Sequence, residues 1–252
     1  MHLGNGAITP ECVVLTYGAA AAGLMAGAAA ARKAGLKSDK LLLAAGLGSL
    51  AFAAQAINVP VWPGISGHLV GGVLLAALLG PGLGAWTMAV VLAVQAIVLG
   101  DGGMAALGAN VLNMALLPAG IVAATRLWKS AGSPIGTGTL AALAVPLAAA
   151  LIVAETAAFR PLAELTHWMG FAATMVGTHF WIGVLEGAAT AALLGAAARL
   201  LSSEGRLVVR PALAWIAAGM LVAAALLPLS SSLPDGYEAA AQTSGLEQLL
   251  NP

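Results

Sequence analysis

The sequence has few charged residues, few aromatic residues and a single cysteine. Only 8% of its 252 residues are charged, whereas soluble domains carry roughly 25%, so the chain cannot cover a globular surface with polar groups. Its net charge of zero offers no basic surface for nucleic acid. A lone cysteine, Cys12, excludes an internal disulfide framework and a CxxC metal or redox motif. These absences exclude a soluble globular domain.

The N-terminus also lacks positive charge. The chain opens "MHLGNGAITPEC", and no Lys or Arg precedes Arg32. A secretory signal peptide begins with positive charge followed by an apolar run. We therefore expect these first residues to be kept in the mature protein.

Apolar residues dominate instead, at 60% of the chain, with a mean hydropathy of +0.96. A transmembrane helix needs about 20 apolar residues, and the apolar stretches here are continuous rather than alternating. The sequence therefore predicts an all-α polytopic membrane protein with about eight transmembrane helices. The predicted spans are 13–31, 41–59, 66–80, 84–100, 106–127, 138–159, 171–198 and 212–229.

The distribution of Lys and Arg predicts the orientation. Positive charges concentrate in cytoplasmic loops. With the N-terminus outside, Arg160 is the one cation on the outer side. The inner loops then hold Arg32, Lys33, Lys37, Lys40, Arg126, Lys129, Arg199, Arg206 and Arg210.

His2 is chemically distinctive because of its place in the chain. The amine of Met1, the backbone nitrogen of His2 and a ring nitrogen of His2 can close two fused chelate rings on one metal. The amide must lose its proton, so binding releases protons. Planar nitrogen coordination favours Ni²⁺ or Cu²⁺ over zinc, calcium or magnesium.

His68, in "PGISGHLVGG", is the candidate for a fourth nitrogen at the outer start of the third span. The surrounding glycines leave room for a second backbone, and Asn5 and Ser66 are candidates to orient the ligands. A histidine near a membrane interface is also commonly an ordinary polar residue. The residues alone therefore leave the metal site open.

Four segments together resemble the CbiM/NikM family, the substrate-binding membrane components of nickel and cobalt energy-coupling factor transporters. They are "MHLGNGAITP", "PGISGHLVGG", "GDGGMAALGANVLNMAL" and "THFWIGVLEGAATAALL", in order from residue 1 to about 200. The resemblance implies a divalent cation held at the outer face by Met1, His2 and the matching His68. It also implies an N-terminal helix followed by a six-helix core.

The resemblance further implies partners: a membrane coupling (T) component and paired cytoplasmic ATPases. This sequence carries no GxxxxGK[ST] phosphate loop, which agrees with hydrolysis on other chains. The late "SSSLPDGYE" resembles the PDGLE segment of a small accessory membrane subunit, with Tyr237 in place of Leu. We therefore divide the chain into a metal-binding component, 1–202, and a C-terminal helix with an outer tail, 203–252.

Other polar residues in or near the spans are candidates for support of the site or for an ion path. Asp101 could attract the cation or cap a helix that starts near Met104. Asn110 and Asn113 share a helical face and could join helices or order the N-terminal loop. Glu155 is expected to be wet at the outer boundary.

His179 and Glu186, seven residues apart, lie on one face of the seventh span. They could orient ligands, form an ion path or tie helices together. The preferred function is an Ni²⁺ capture subunit, with Co²⁺ next, in the cytoplasmic membrane of a prokaryote, not an enzyme. The alternatives are a proton-coupled secondary metal transporter and a membrane enzyme, each using His179 and Glu186.

Overall fold

Helices make up most of the computed structural model, which describes residues 2–125, 133–160, 165–201, 221, 225 and 227–250. The α-helices are α1 Pro10–Lys33, α2 Ser38–Gln55, α3 Gly72–Leu79, α4 Pro81–Val94, α5 Leu107–Val111, α6 Leu117–Thr125, α7 Pro134–Ala157, α8 Leu165–Leu201 and α9 Gly236–Thr243. Two π-helical turns, Gln95–Leu99 and Leu112–Leu116, continue α4 and join α5 to α6. Short 3₁₀ turns lie at Leu227–Leu229 and Glu247–Leu249.

Within these described ranges, five helical segments are long and apolar enough to cross a membrane. They are Pro10–Lys33, Pro81–Leu99, Leu107–Thr125, Pro134–Ala157 and His167–Ala196. The expectation of a helical, multi-pass membrane protein is therefore confirmed. The number of crossings and the side of the N-terminus stay predictions, and most of the predicted span 212–229 lies outside the described residues.

Only part of the predicted third span, 66–80, is a helix. Its helix, α3, covers Gly72–Leu79, and residues 66–67 are the end of a two-stranded antiparallel hairpin, β1 Val59–Trp62 and β2 Ile65–Gly67. The β-branched residues favour extended backbone, and the turn uses Gly64 at φ 78°, a conformation that suits glycine. The hairpin was not predicted, because its apolar residues also fit the end of one span and the start of another.

The start of α1 fixes where the N-terminal segment leaves the bundle. Thr9 is the N-cap, and its hydroxyl accepts the N–H of Cys12 at 3.4 Å. Pro10 occupies the first helical turn, Glu11 follows it, and Arg32 and Lys33 close the last turn. The Thr9 cap and Pro10 suit a helix start, where backbone N–H groups have no partner within the helix. The negative charge at the start and the positive charges at the end are favourable with the helix dipole. Residues 2–8 therefore form a separate segment on the fold.

The main core lies among α1, α4, α7 and α8, with α7 packed along α8. Small residues allow this approach: a Cβ added at Gly187 would lie 2.7 Å from the carbonyl oxygen of Gly138. Such contacts are typical of membrane helices. Leu3 and Ala7 are completely buried in the same core, so the N-terminal segment is part of the fold.

The C-terminal segment, residues 227–250, packs onto α8 and the hairpin. Asp235 caps α9 with a reciprocal capping box to Glu238. Tyr237 is buried edge-on against Phe171, with ring centroids 5.7 Å apart. A Cβ added at Gly236 would lie 2.6 Å from Cε1 of His179. Glycine is therefore needed there for the tail to sit directly on the His179 ring.

Candidate metal site

The N-terminal segment is held in place by backbone hydrogen bonds. Asn110 accepts the N–H of Leu3 at 2.8 Å and donates to the Leu3 carbonyl at 3.1 Å. The same carbonyl accepts the N–H of Gly103 at 2.8 Å. A Cβ at Gly103 would lie 2.1 Å from the backbone nitrogen of Asn5. The loop after α4 and the amide of Asn110 thus fix the backbone next to His2.

Further hydrogen bonds secure the segment and the loop that it contacts. The side-chain oxygen of Asn5 accepts the N–H of Ala105 at 3.0 Å. The Tyr17 hydroxyl donates to the carbonyl of Met104 at 2.5 Å. Arg160 donates to the carbonyls of Gly6 and Ala7, at 3.0 and 3.2 Å. The one cation predicted on the outer side therefore binds the segment that carries His2.

His2 is buried, with 8% of its surface exposed, and its Nδ1 lies 3.0 Å from Oδ1 of Asp101. Burial alone would raise the pKa of the Asp101 carboxyl, but the hydrogen bond from His2 and the nearby positive charge bring that pKa below its ordinary value. Asp101 is therefore an ionised partner of His2. It does not cap the next helix, which begins at Leu107 with Ala106 as its N-cap.

His68 stacks on His2. The two ring centroids are 5.1 Å apart and the planes are inclined by 15°. Nδ1 of His68 lies 3.0 Å from the carbonyl oxygen of Leu69, and a carbonyl only accepts, so Nδ1 carries the proton. Burial lowers the pKa of His68 to about 3, so the ring is neutral at physiological pH.

The remaining ring nitrogens are the notable feature of this pair. Nε2 of His2 and Nε2 of His68 are both buried and have no hydrogen-bond partner among the described residues. Buried polar atoms are normally paired, and an exception calls for an explanation such as an ion. Two neighbouring imidazoles with unused nitrogens can ligate a divalent transition metal. Met1, predicted to supply the amine, lies outside the described residues.

Two other candidate residues, Ser66 and Asn113, form hydrogen bonds away from the histidine pair. Ser66 turns to the C-terminal segment, donating its N–H to the Pro234 carbonyl at 2.9 Å and its hydroxyl to the Leu233 carbonyl at 2.7 Å. Asn113, in a π-helical turn, donates to Glu155 at 2.7 Å. Glu155 is buried, so the expectation that it is wet was wrong.

His179 and Glu186 occupy separate environments. Nδ1 of His179 lies 2.7 Å from the carbonyl of Met175 in its own helix, and the ring is covered by Gly236. Glu186 accepts two backbone N–H groups from the segment that follows His68. Among the described residues, no contact joins the two side chains or links His179 to the stacked pair.

Sequence reasoning missed three residues that support the site. Gln55, in the last turn of α2, donates to the carbonyl of Val70 at 2.5 Å. Arg160 and Tyr17 bind the N-terminal segment and the loop beneath it. The Gln55 amide inside an apolar span and Arg160, the one cation predicted on the outer side, were visible in the sequence as candidates for such a role. Their partners lie 15 to 154 residues away, so the sequence pattern did not pair them.

Replacing Asn110 with Leu will loosen the N-terminal segment. The change leaves the buried N–H and carbonyl of Leu3 with one hydrogen bond where they had three, and each unsatisfied buried group costs about 1–3 kcal/mol. We expect the free energy of unfolding to fall by about 2–4 kcal/mol, measured by thermal unfolding in detergent. The matched control is Gln242→Leu, at an exposed amide of the tail. Equal midpoints in the two variants would contradict the role assigned to Asn110.

Comparison with known proteins gives a consistent family. The family model CbiM, described as "Cobalt uptake substrate-specific transmembrane region", matches residues 2–204. A putative metal transport protein of Haloquadratum walsbyi is 38% identical over 145 residues, 56% of this chain and 64% of that protein. The fused nickel transport protein NikMN of Rhodobacter capsulatus is 33% identical over 170 residues, 64% of this chain and 48% of that protein.

A solved structure shares the fold. The crystal structure of a truncated transition metal transporter matches with a TM-score of 0.66 at 25% identity, covering 77% of this chain and 96% of that one. The chain spans less than two thirds of the length of either sequence relative, at 64% and 48%. The helical architecture is therefore that of a transition metal transporter.

Proposed function

The chain belongs to the CbiM family, and on that premise we propose that it is the capture subunit of an ATP-driven uptake transporter for Ni²⁺. The family model covers residues 2–204, which is most of the chain. The substrate is bound at the outer face by the amine of Met1, the backbone nitrogen and ring of His2, and the ring of His68. Met1 must carry a free amine in the mature protein, which mass spectrometry of the N-terminus tests.

The observation that carries this proposal is that buried His68 stacks on His2 and leaves its Nε2 without a hydrogen-bond partner among the described residues. His68 presents Nε2 as a lone pair because its Nδ1 donates to Leu69. Chelation by the amide and ring of His2 closes a six-membered ring through Nδ1. Binding through Nδ1 would replace its hydrogen bond to Asp101, and the Nδ1 proton would move to the unused Nε2 of the same ring.

Nickel is the preferred ion because of the donor set. Four nitrogens, one of them a deprotonated amide, suit the square geometry of Ni²⁺. Co²⁺ is the second candidate, since the matching family model is described by cobalt uptake. Cu²⁺ will bind such a site more tightly in vitro, so the order of affinities does not identify the ion carried in the cell.

Energy comes from partner chains under this proposal. A membrane coupling component and paired cytoplasmic ATPases would drive the release of the ion inward, in the cytoplasmic membrane of a prokaryote. Residues 1–202 act as the metal-binding component and 203–252 as a helix and tail derived from a small accessory subunit.

Uptake of radioactive nickel in cells tests the function. We expect uptake when the chain is produced with its coupling component and ATPases, and none when the ATPases carry inactivating substitutions in their phosphate loops. The matched control is the complete system with His2→Ala. Uptake by the chain alone, at the rate of the complete system, would overturn the proposal in favour of a secondary transporter.

The affinity for Ni²⁺ will rise with pH. Binding displaces a proton from the backbone amide and, below a pKa of about 7.7–8.0, one from the terminal amine. His68 contributes none, since its pKa is about 3. Removing competing protons favours the metal, so the affinity should rise by about tenfold to a hundredfold per pH unit between about pH 6 and 7.5. Isothermal titration at several pH values measures it, and a flat profile would exclude the deprotonated amide.

A further inference from the structure

Glu186 is a buried carboxyl group whose two oxygens both bind the segment that follows His68. Oε2 accepts the N–H of Val70 at 2.8 Å and Oε1 accepts the N–H of Gly71 at 2.7 Å. Only 3% of the residue is exposed. Both side-chain oxygens of Glu186 therefore serve as acceptors for this one backbone segment. An ionisable group buried within a membrane helix points to a function.

One of these hydrogen bonds is linked to His68 through a single peptide group. The N–H of Val70 and the carbonyl of Leu69 belong to the same peptide group, and that carbonyl accepts Nδ1–H of His68 at 3.0 Å. The result is a chain of hydrogen bonds from the imidazole through one peptide group to the carboxylate. Such chains polarise their members. By accepting the N–H of Val70, Glu186 makes the Leu69 carbonyl a stronger acceptor for Nδ1–H of His68. This favours the His68 tautomer in which Nε2 carries no proton.

The same segment is also held from the opposite side. Gln55 of α2 donates to the carbonyl of Val70 at 2.5 Å. Residues 68–71 have no helix or strand of their own, so these side chains decide the path of the backbone. Ligating histidines commonly donate their second nitrogen to a carbonyl or carboxylate, which fixes the tautomer and raises the basicity of the ligand.

We propose that Glu186 is the positioning residue of the metal site, acting on His68 through the Leu69–Val70 peptide group. It fixes the ring direction, holds the proton on Nδ1 and increases the donor strength of Nε2. This inference rests on the proposed function, because it assigns a task to Glu186 only if His68 binds the ion. It also ties the outer site to α8, which extends for 37 residues.

Glu186→Gln tests the inference. A carboxamide offers one acceptor oxygen where the carboxylate offers two, and its NH₂ faces a backbone N–H, so one of the two bonds is lost. We expect Ni²⁺ affinity to fall by about tenfold to a hundredfold, the usual effect of removing a group that orients a ligand. The matched control is Thr190→Val, one turn further along the same helix and equally buried, which should bind Ni²⁺ as the original protein does.

A double-mutant cycle separates positioning from a general structural role. If Glu186 acts through His68, adding Glu186→Gln to His68→Ala will cause no further loss of affinity. A further loss equal to that in the original background would overturn the inference. If His68→Ala itself leaves binding unchanged, the assignment of His68 as the fourth donor fails instead, so the two failures are distinguishable.

The metal-free protein provides a second measurement. The ¹⁵N chemical shifts of the His68 ring report which nitrogen carries the proton. We expect the Nδ1–H form in the original protein and a measurable share of the Nε2–H form in Glu186→Gln. The Nε2–H form in the original protein, or the same spectrum in both, would contradict the relay whatever the protein binds.

Discussion

A Gly-Ser extension placed before Met1 will abolish high-affinity Ni²⁺ binding. The extension converts the terminal amine into an amide, and without the amine to anchor the metal the backbone amide of His2 keeps its proton, so two of the four proposed donors are lost. Zinc sites with four ligands are worth about 10–16 kcal/mol, which is roughly 3 kcal/mol, or a hundredfold, for each donor. We therefore expect the dissociation constant to rise by at least about a thousandfold, measured by titration of the purified protein with a native N-terminus.

The control for this experiment is the same Gly-Ser pair added after Pro252, at the other end of the chain. It reproduces the added residues without touching the amine. Equal affinity in the two extended proteins would exclude the amino-terminal chelate. The ion would then have to bind elsewhere, and His179 and Glu186 would become the first residues to test.

Replacing His68 with Ala will have the second largest effect. It removes the fourth nitrogen and the ring that stacks on His2 at 5.1 Å. By the same estimate per donor, the dissociation constant should rise by about a hundredfold. The visible absorption of bound Ni²⁺ should also change, because water replaces an imidazole in the coordination plane.

His167→Ala is the matched control, since His167 is exposed on α8 and plays no part in the proposed site. It should bind Ni²⁺ with the original affinity and spectrum. If His68→Ala matches this control in both respects, the fourth donor comes from another residue. A three-donor chelate at the N-terminus would then remain possible, and only the extension experiment would test it.

Much of the architecture could be predicted from composition and periodicity. Continuous apolar runs locate α1, α4, α7 and α8 to within a few residues, because a membrane helix must satisfy its backbone internally. The hairpin at Val59–Gly67 was not predicted, because its few apolar residues form too short a run to distinguish from the ends of helices. The same ambiguity stretched the eight-residue helix α3 into a predicted span.

For the site, the sequence indicated which residues were candidate ligands, and the structure showed which residues they contact. His2 and His68 stood out because a chelate and a Gly-rich loop have recognisable local patterns. The peptide relay from Glu186 to His68 could not be predicted, because its hydrogen bond joins residues 116 positions apart. The same holds for Asn110, which holds Leu3 from 107 positions away.

The contacts of Ser66 have a consequence for the order in which the protein is made. Its hydroxyl binds the Leu233 carbonyl, 167 residues later in the chain. A ribosome moving from the N-terminus completes the His68 loop long before it reaches the tail that covers it. The part of the fold that residues 233–234 form beside His68 is therefore absent through most of translation, and the Ser66 hydroxyl lacks its Leu233 partner until that segment is made.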